Sequence, residues 1–158
     1  APADVIAKLV QLKQGTDLHT STFNQIVAFE VARGGFLDRH VRHIRQVYRE
    51  RRDVMLEALE QHLPPEVTWT EPHGGLFLWA RLPHGLSAAK LLEAAIQQKV
   101  AFVPGSAFFA PGTAEPAEAA RFMRLNFSNA DPDRIREGIR RLGAVIREQL
   151  GRRELVPA

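Results

Sequence analysis

The sequence predicts an α/β fold of the α+β kind, a small mixed sheet with helices packed on it and a long helix ahead of it. Three observations favour this architecture. Apolar residues recur at helical spacing from Phe36 to about His62, two β-rich runs joined by glycines follow, and helical and strand-like runs then alternate. At 158 residues with 45% apolar side chains, the chain can bury one core.

Two shorter helices are predicted ahead of the long one. Residues 4–13 carry apolar side chains at three- and four-residue steps, and Gly15 ends the pattern. A second helix is expected over 22–33, because cap-type residues precede it and Gly34-Gly35 can end it.

The long helix has an apolar stripe on one face and an arginine-rich face opposite. Pro64-Pro65 ends it, because neither proline can donate the next backbone hydrogen bond. After the prolines the pattern changes to that of strands. Residues 67–70 and 76–82 are β-rich, and 71–75 joins them as a hairpin.

The remaining elements alternate to the C-terminus. They are a helix capped by Ser87 and ending near Gln98, a strand over 100–103, a mobile loop over 110–120, a strand over 121–127, and a helix opened by Asp131-Pro132-Asp133. The tail after Gly151 is expected to fray.

Composition excludes several classes of protein. Charged residues make up 25% of the chain, the net charge is only +3, and both signs are interspersed, so no polyanionic partner is required. Without cysteine there is no disulfide framework, which favours a reducing compartment, and we expect the cytoplasm. No run is apolar for long enough to span a bilayer. His40 and His43 lack a third ligand at suitable spacing, so no metal site is expected.

Four short strings carry a resemblance to a known family. They are DLHTSTFNQ at 17–25, HGGLFLW at 73–79, VAFVPG at 100–105 and RLNFS at 124–128. In this order and spacing they resemble class I/II aminotransferases of fold type I, which depend on pyridoxal 5'-phosphate. Within that family the chain is similar to the 2-aminoadipate and kynurenine aminotransferase-like group, over nearly its whole length.

The resemblance implies how the chain is organised. Residues 1–35 would be the end of the large cofactor-binding domain, 36–63 the long interdomain helix, and 64–158 the C-terminal small domain. The Schiff-base lysine would lie upstream, since none of the four lysines has the family's context. This 158-residue chain alone is therefore expected to be inactive, with no catalytic residue of its own. The full-length protein would be a homodimer acting on an α-amino acid and a 2-oxo acid.

Arg124 is the leading substrate-binding candidate. The resemblance implies that it binds the substrate carboxylate, and a guanidinium offers two parallel donors suited to that group. Gly75 and Phe77 would line the same pocket, although a hairpin turn and a core aromatic explain them equally well. Leu18 would reach the site of the other subunit, or it serves only as a packing residue before a helix. The other aromatic residues, including Phe108 and Phe109, are assigned to packing.

Two other functions stay open. The first is the effector domain of a transcription regulator, in which an aminotransferase-like domain follows a winged helix-turn-helix. The second is a nucleic-acid binder, suggested by the arginines of the long helix. Interleaved acidic residues and the lack of an aromatic platform beside those arginines make nucleic-acid binding the weaker alternative.

Overall fold

The structure is a computed structural model that describes residues 1–154. Its helices are Ala3–Thr16 (α1), Thr22–Ala32 (α2), Phe36–His62 (α3), Ala88–Gln97 (α4), Pro116–Ala119 (α5) and Pro132–Glu154 (α6). Its strands are Thr68–Trp69 (β1), Phe77–Arg81 (β2), Val103–Pro104 (β3) and Phe122–Asn126 (β4). Helix α6 continues beyond Gly151, where fraying was predicted, and residues 155–158 lie outside the described part.

The chain divides into two compact units, Ala1–Arg45 and Gln46–Ala158. The first holds α1, α2, a short 3-10 turn and the beginning of α3, and α1 and α2 bury none of their residues. Gly34 and Gly35 both have positive φ, 83° and 73°, so they end α2 in the conformation that glycine adopts most readily. Helix α1 continues through Gly15 to Thr16 rather than ending at the glycine.

The second unit is built on a four-stranded sheet of order β1-β2-β4-β3. The predicted α+β fold class is confirmed, but every described pairing is antiparallel, so the sheet is antiparallel rather than mixed. The longest pairing joins β2 to β4 and places Trp79 opposite Arg124. Both β2 and β4 run opposite to each strand beside them, and no parallel crossover connects neighbouring strands.

Alternation along β2 and β4 gives the sheet one core face and one open face. Leu78, Ala80 and Met123 are fully buried on the core face. The helices α3, α4 and α6 cover that face with apolar side chains. Their main contributors are Val54, Met55, Ala58 and Leu59 from α3, Ala88, Leu91 and Ala95 from α4, and Ile135, Ile139, Leu142, Val145 and Ile146 from α6.

The strand predicted over 100–103 is shorter than expected and begins only at Val103. The end of α4 explains the difference, because Lys99 and Val100 donate their backbone N–H groups to Ile96 and Ala95. Lys99 has φ 59°, and this pattern is a Schellman motif with lysine in the left-handed position. Ser87 stands at the N-cap position of α4, but its side chain makes no capping hydrogen bond.

Polar contacts of Arg121 and Glu118 connect the short helix α5 to the sheet. Arg121, 6% exposed, donates from Nε to the carbonyl of Leu82 at 2.9 Å and from Nη1 to Glu118 at 2.6 Å. Glu118 also pairs with Arg81 at 2.7 Å, so one carboxylate joins two arginines. His84 lies 3.1 Å from Arg121 Nη1. The short helix α5 is thereby held to the end of β2.

Helix α6 makes its own polar contacts with α4 and α3. Hydrogen bonds from Arg140 and then Arg141 lower the pKa of the Glu137 carboxyl from its ordinary value of 4.5 to about 2. Arg141 also donates to the carbonyl of Gln98 at 3.1 Å, which links α6 to the end of α4. Asp131 caps α6 by accepting the backbone N–H of Arg134 at 2.9 Å, as the sequence predicted.

No helix within residues 1–154 is long and apolar enough to cross a membrane.

Candidate functional site

The open face of the sheet carries aromatic and arginine side chains. Phe77, Trp79 and Arg81 point to this face from β2, and Phe122 and Arg124 point to it from β4. An open sheet face with this composition is unusual for a surface that meets only water, because large aromatic side chains favour burial.

Arg124 contacts two aromatic rings. Its guanidinium carbon is 4.1 Å from the ring centre of Phe77 and 4.4 Å from that of Phe108. Phe77 stands diagonally across the β2–β4 pair, because Arg124 is opposite Trp79, two residues further along β2. Phe108 comes from the 3-10 turn Gly105–Phe108, which follows β3. Sequence analysis assigned Phe108 to packing, and no local spacing connects it with Arg124.

Arg124 has no acidic partner. Among the residues that the structure describes, none forms a hydrogen bond or ion pair with its guanidinium, and its buried Nε is unsatisfied. Arg81, on the same sheet face, also has an unsatisfied Nε but is paired with Glu118. Because Arg81 shares the unsatisfied Nε, the feature that distinguishes Arg124 is the lack of an acidic partner among the described residues, and a guanidinium without such a partner favours an external anion.

The rest of the aromatic cluster supports the turn that carries Phe108. Trp79 stacks on Phe122 at 5.5 Å and meets Phe108 edge-on at 5.8 Å. Phe109 packs against Trp79 at 6.1 Å and against Phe122 at 5.3 Å. A Cβ added to Gly105 would lie 2.5 Å from the Cβ of Phe122, so only glycine lets the turn approach the sheet this closely.

Two other candidates lie in turns. Gly75 directly precedes Leu76 and β2 with φ 80°, and a Cβ placed on it would meet nothing within 4 Å. Its conformation calls for glycine, and the open space beside it is compatible with both a simple turn and the approach of a ligand. Leu18, in the unit Ala1–Arg45, is 72% exposed and has φ 59°. Both residues remain predicted site residues.

The four lysines of the chain lie at the surface of the described structure. Lys8, Lys13, Lys90 and Lys99 are all exposed. Lys13 is also paired with Asp17 at 2.8 Å. A lysine that forms a Schiff base is normally activated by desolvation or by a neighbouring cation, and these four lack the burial that desolvation requires.

The family model for aminotransferase class I and II matches residues 1–142. The chain belongs to this family. It is 46% identical, over 145 residues, to aromatic-amino-acid aminotransferase 1 of Thermococcus litoralis, covering 92% of this chain and 34% of that protein. It is 44% identical over 147 residues to 2-aminoadipate transaminase of Thermus thermophilus, covering 93% of this chain and 36% of that protein. The aminotransferase chain thus spans about a third of the length of these relatives.

Solved structures agree on the fold. The α-aminoadipate aminotransferase of Thermus thermophilus, complexed with N-(5'-phosphopyridoxyl)-L-leucine, matches with a TM-score of 0.82 and 43% identity over 99% of this chain and 38% of that one. The kynurenine aminotransferase of Pyrococcus horikoshii, solved with pyridoxamine phosphate, matches with a TM-score of 0.81 and 47% identity over 94% and 35%. The predicted membership of a pyridoxal-phosphate-dependent transferase fold is confirmed.

One relative is named as a transcription regulator rather than as an enzyme. An uncharacterised HTH-type transcriptional regulator of Bacillus subtilis is 32% identical over 151 residues, covering 96% of this chain and 30% of that protein. The same fold therefore occurs in proteins named as enzymes and in at least one named as a regulator.

Proposed function

We propose that this chain supplies the substrate-carboxylate site of a pyridoxal-phosphate-dependent aminotransferase, which moves an amino group between an α-amino acid and a 2-oxo acid. The observation that carries the proposal is Arg124, which has no ion partner among the described residues and lies against two rings. Its charge has no partner among the described residues, and a carboxylate would supply both the charge and the planar acceptor geometry. Membership of the aminotransferase family supports the same function.

Arg124 acts by binding and orienting the substrate. Substrate and product both carry an α-carboxylate, so one guanidinium serves both half-reactions. Fixing the carboxylate sets the position of the neighbouring α-carbon and amino group, which is a contribution to orientation rather than to proton transfer. The bound cofactor supplies the electron sink for the α-carbanion. We propose that its anchoring lysine lies in a part of the protein outside these 158 residues, since the four lysines present are exposed.

Substitution of Arg124 in the full-length protein tests the proposal. Arg124→Gln removes the charge and the paired donors, so kcat/KM should fall roughly 100-fold or more for every amino donor and every 2-oxo acceptor. Arg81→Gln is the matched control on the same sheet face, because Arg81 already pairs with Glu118, and its kcat/KM should change by less than about threefold. Unchanged kinetics in Arg124→Gln would show that the carboxylate binds elsewhere.

The absorbance spectrum tests the place of the cofactor lysine. Pyridoxal phosphate is added to the 158-residue chain and, separately, to the full-length protein, followed by an amino acid. Only the full-length protein should develop the band of a lysine-bound cofactor and lose it with the amino acid. A band in the short chain would mean that one of its own lysines binds the cofactor covalently.

Several features of the whole protein remain proposals. We propose the division into 1–35, 36–63 and 64–158, a homodimer, and a cytoplasmic location on the basis of the cysteine-free sequence. Exposed apolar side chains on α1 and α2, such as Leu12, Phe23 and Phe29, support a further protein surface that covers this unit. Sedimentation of the full-length protein should give the mass of two subunits, and a monomer would contradict the dimer.

The regulator is the second candidate function, and the Bacillus subtilis relative favours it. It would place a DNA-binding module elsewhere in the protein, with Arg124 binding an effector rather than a substrate. The arginine-rich helix gives direct nucleic-acid binding less support, since Arg51 donates to the carbonyl of Ser128 and Arg52 pairs with Asp53. Specific, salt-dependent binding of the full-length protein to a DNA duplex, without transamination, would favour the regulator.

A further inference from the structure

The guanidinium of Arg124 contacts two aromatic rings. Its central carbon lies 4.1 Å from the ring centre of Phe77 and 4.4 Å from that of Phe108, both well within the range of cation–π attraction. The two rings come from separate elements, β2 and the turn Gly105–Phe108. Because the N–H groups of a guanidinium lie in its plane, a carboxylate that binds Arg124 accepts hydrogen bonds at the edge of the group.

We propose that Phe108 is a positioning residue for carboxylate recognition, whose ring contacts the guanidinium of Arg124 and holds its planar N–H fork towards the substrate. The inference rests on the proposed function of Arg124. An arginine side chain has large rotamer freedom. Binding of a ligand to a mobile arginine is therefore weakened by the conformational entropy that the side chain loses. Phe77 and Phe108 order the side chain before the ligand arrives, because both rings contact its guanidinium.

Phe108 and its neighbour Phe109 make different contacts and therefore have different roles. Phe109 packs against Trp79 and Phe122 and so fixes the turn on the sheet. Phe108 meets the guanidinium while remaining 48% exposed. Because Phe108 is half exposed, removal of its ring should change stability little, whereas removal of the Phe109 ring should loosen the whole turn. The adjacent phenylalanines therefore form a matched pair for a test.

The test uses the full-length holoenzyme and the variants Phe108→Leu, Phe108→Tyr and Phe109→Leu. Phe108→Leu should raise KM for amino donor and 2-oxo acceptor about 5- to 20-fold with kcat within about twofold, since it removes binding shared by ground and transition states. Phe108→Tyr keeps a ring and should restore KM. The rate with n-butylamine, which lacks a carboxylate, should not change in either variant. Phe109→Leu should lower the unfolding midpoint, which Phe108→Leu should not.

A double-mutant cycle shows whether Phe108 acts through Arg124. In the Arg124→Gln background, Phe108→Leu should raise KM by less than about twofold further, because the group it positions is gone. A full further increase would mean that Phe108 contacts the substrate directly, which overturns the positioning role. Normal KM in Phe108→Leu, together with a large defect in Arg124→Gln, would overturn this inference alone. Normal kinetics in Arg124→Gln itself would overturn the proposed function.

Discussion

Gly138 and Gly143 lie in the same helix, α6, but in different surroundings. A Cβ at position 143 would lie 2.1 Å from the carbonyl oxygen of His62 and 2.9 Å from its carbonyl carbon. A Cβ at position 138 would meet nothing within 4 Å. The obstruction at 143 is backbone at the end of α3, which can move only if the two helices separate. Alanine at the two positions therefore separates helix propensity from helix packing.

The magnitudes follow from the two environments. Alanine is more favourable than glycine inside a helix by about 1 kcal/mol, so Gly138→Ala should raise the free energy of unfolding by about that amount. Gly143→Ala gains the same term but overpacks the contact, at roughly 2 kcal/mol. Separation of the helices also weakens the 2.6 Å bond from Arg147 Nη1 to the His62 carbonyl, worth about 1 kcal/mol. The net loss for Gly143→Ala is about 2 kcal/mol.

Urea unfolding of the 158-residue chain measures both effects. Its two tryptophans, Trp69 and Trp79, both lie in the unit Gln46–Ala158, so their fluorescence reports on that unit. With a urea dependence of about 2 kcal/mol per M, the midpoint should fall about 1 M for Gly143→Ala and rise about 0.5 M for Gly138→Ala. If Gly143→Ala stabilises as much as Gly138→Ala, α6 does not approach the end of α3 as described.

Three further predictions concern the same unit and use unfolding midpoints as the measurement. Gly105→Ala should lower the free energy of unfolding by about 2 kcal/mol, because its Cβ would lie 2.5 Å from the Cβ of Phe122, and no loss would contradict that contact. Glu137→Gln should be destabilising above pH 4.5, with the difference from wild type disappearing as the pH falls to about 2, since two arginines depress the folded pKa of this carboxyl. A difference that is independent of pH would refute the role of its charge. Arg121→Leu should cost about 3 kcal/mol because this buried side chain makes three polar contacts, while Arg81→Leu, at a partly exposed pair, should cost clearly less.

The longer helices could be predicted from sequence with little error. The prediction of a mobile loop over 110–120 was wrong in part, because α5 forms there, with Pro116 in its first turn and Glu118 paired with Arg81 and Arg121. The long helix runs from Phe36 to His62 as its apolar period indicated, and α2 ends within one residue of its predicted limit. The reason is that helix period, proline stops and glycine ends act over a few neighbouring residues. The strands were placed well where the alternation was long, in β2 and β4.

Errors in the strands arose at the end of α4 and in the direction of strand pairing. The segment 100–103 has strand composition, yet the Schellman motif at Lys99 uses its first backbone donor and delays β3 to Val103. The sequence predicted the hairpin of β1 and β2, but the antiparallel pairing of β4 with β2 and β3 was absent from the sequence pattern. Strand direction depends on which strands meet, and composition does not record that.

The candidate site also contains residues that the sequence indicated and one that it did not. The resemblance pointed to Arg124 and Phe77, and the structure brings these two together at 4.1 Å. Phe108 was assigned to packing, because a residue on a separate turn carries no spacing signal towards Arg124. Gly75 and Leu18 remain predictions, and their turn conformations alone give them no chemical role.

The sequence by itself determined the longer helices, the prolines that stop the long helix, the positions of β2 and β4, and the aminotransferase family, because short-range periodicity and local motifs encode these features. Only the tertiary structure decided that Arg124 has no acidic partner among the described residues and that two rings contact its guanidinium. Charge pairing and ring stacking join residues far apart in the chain, so they exist only after the sheet and the turn Gly105–Phe108 have packed together.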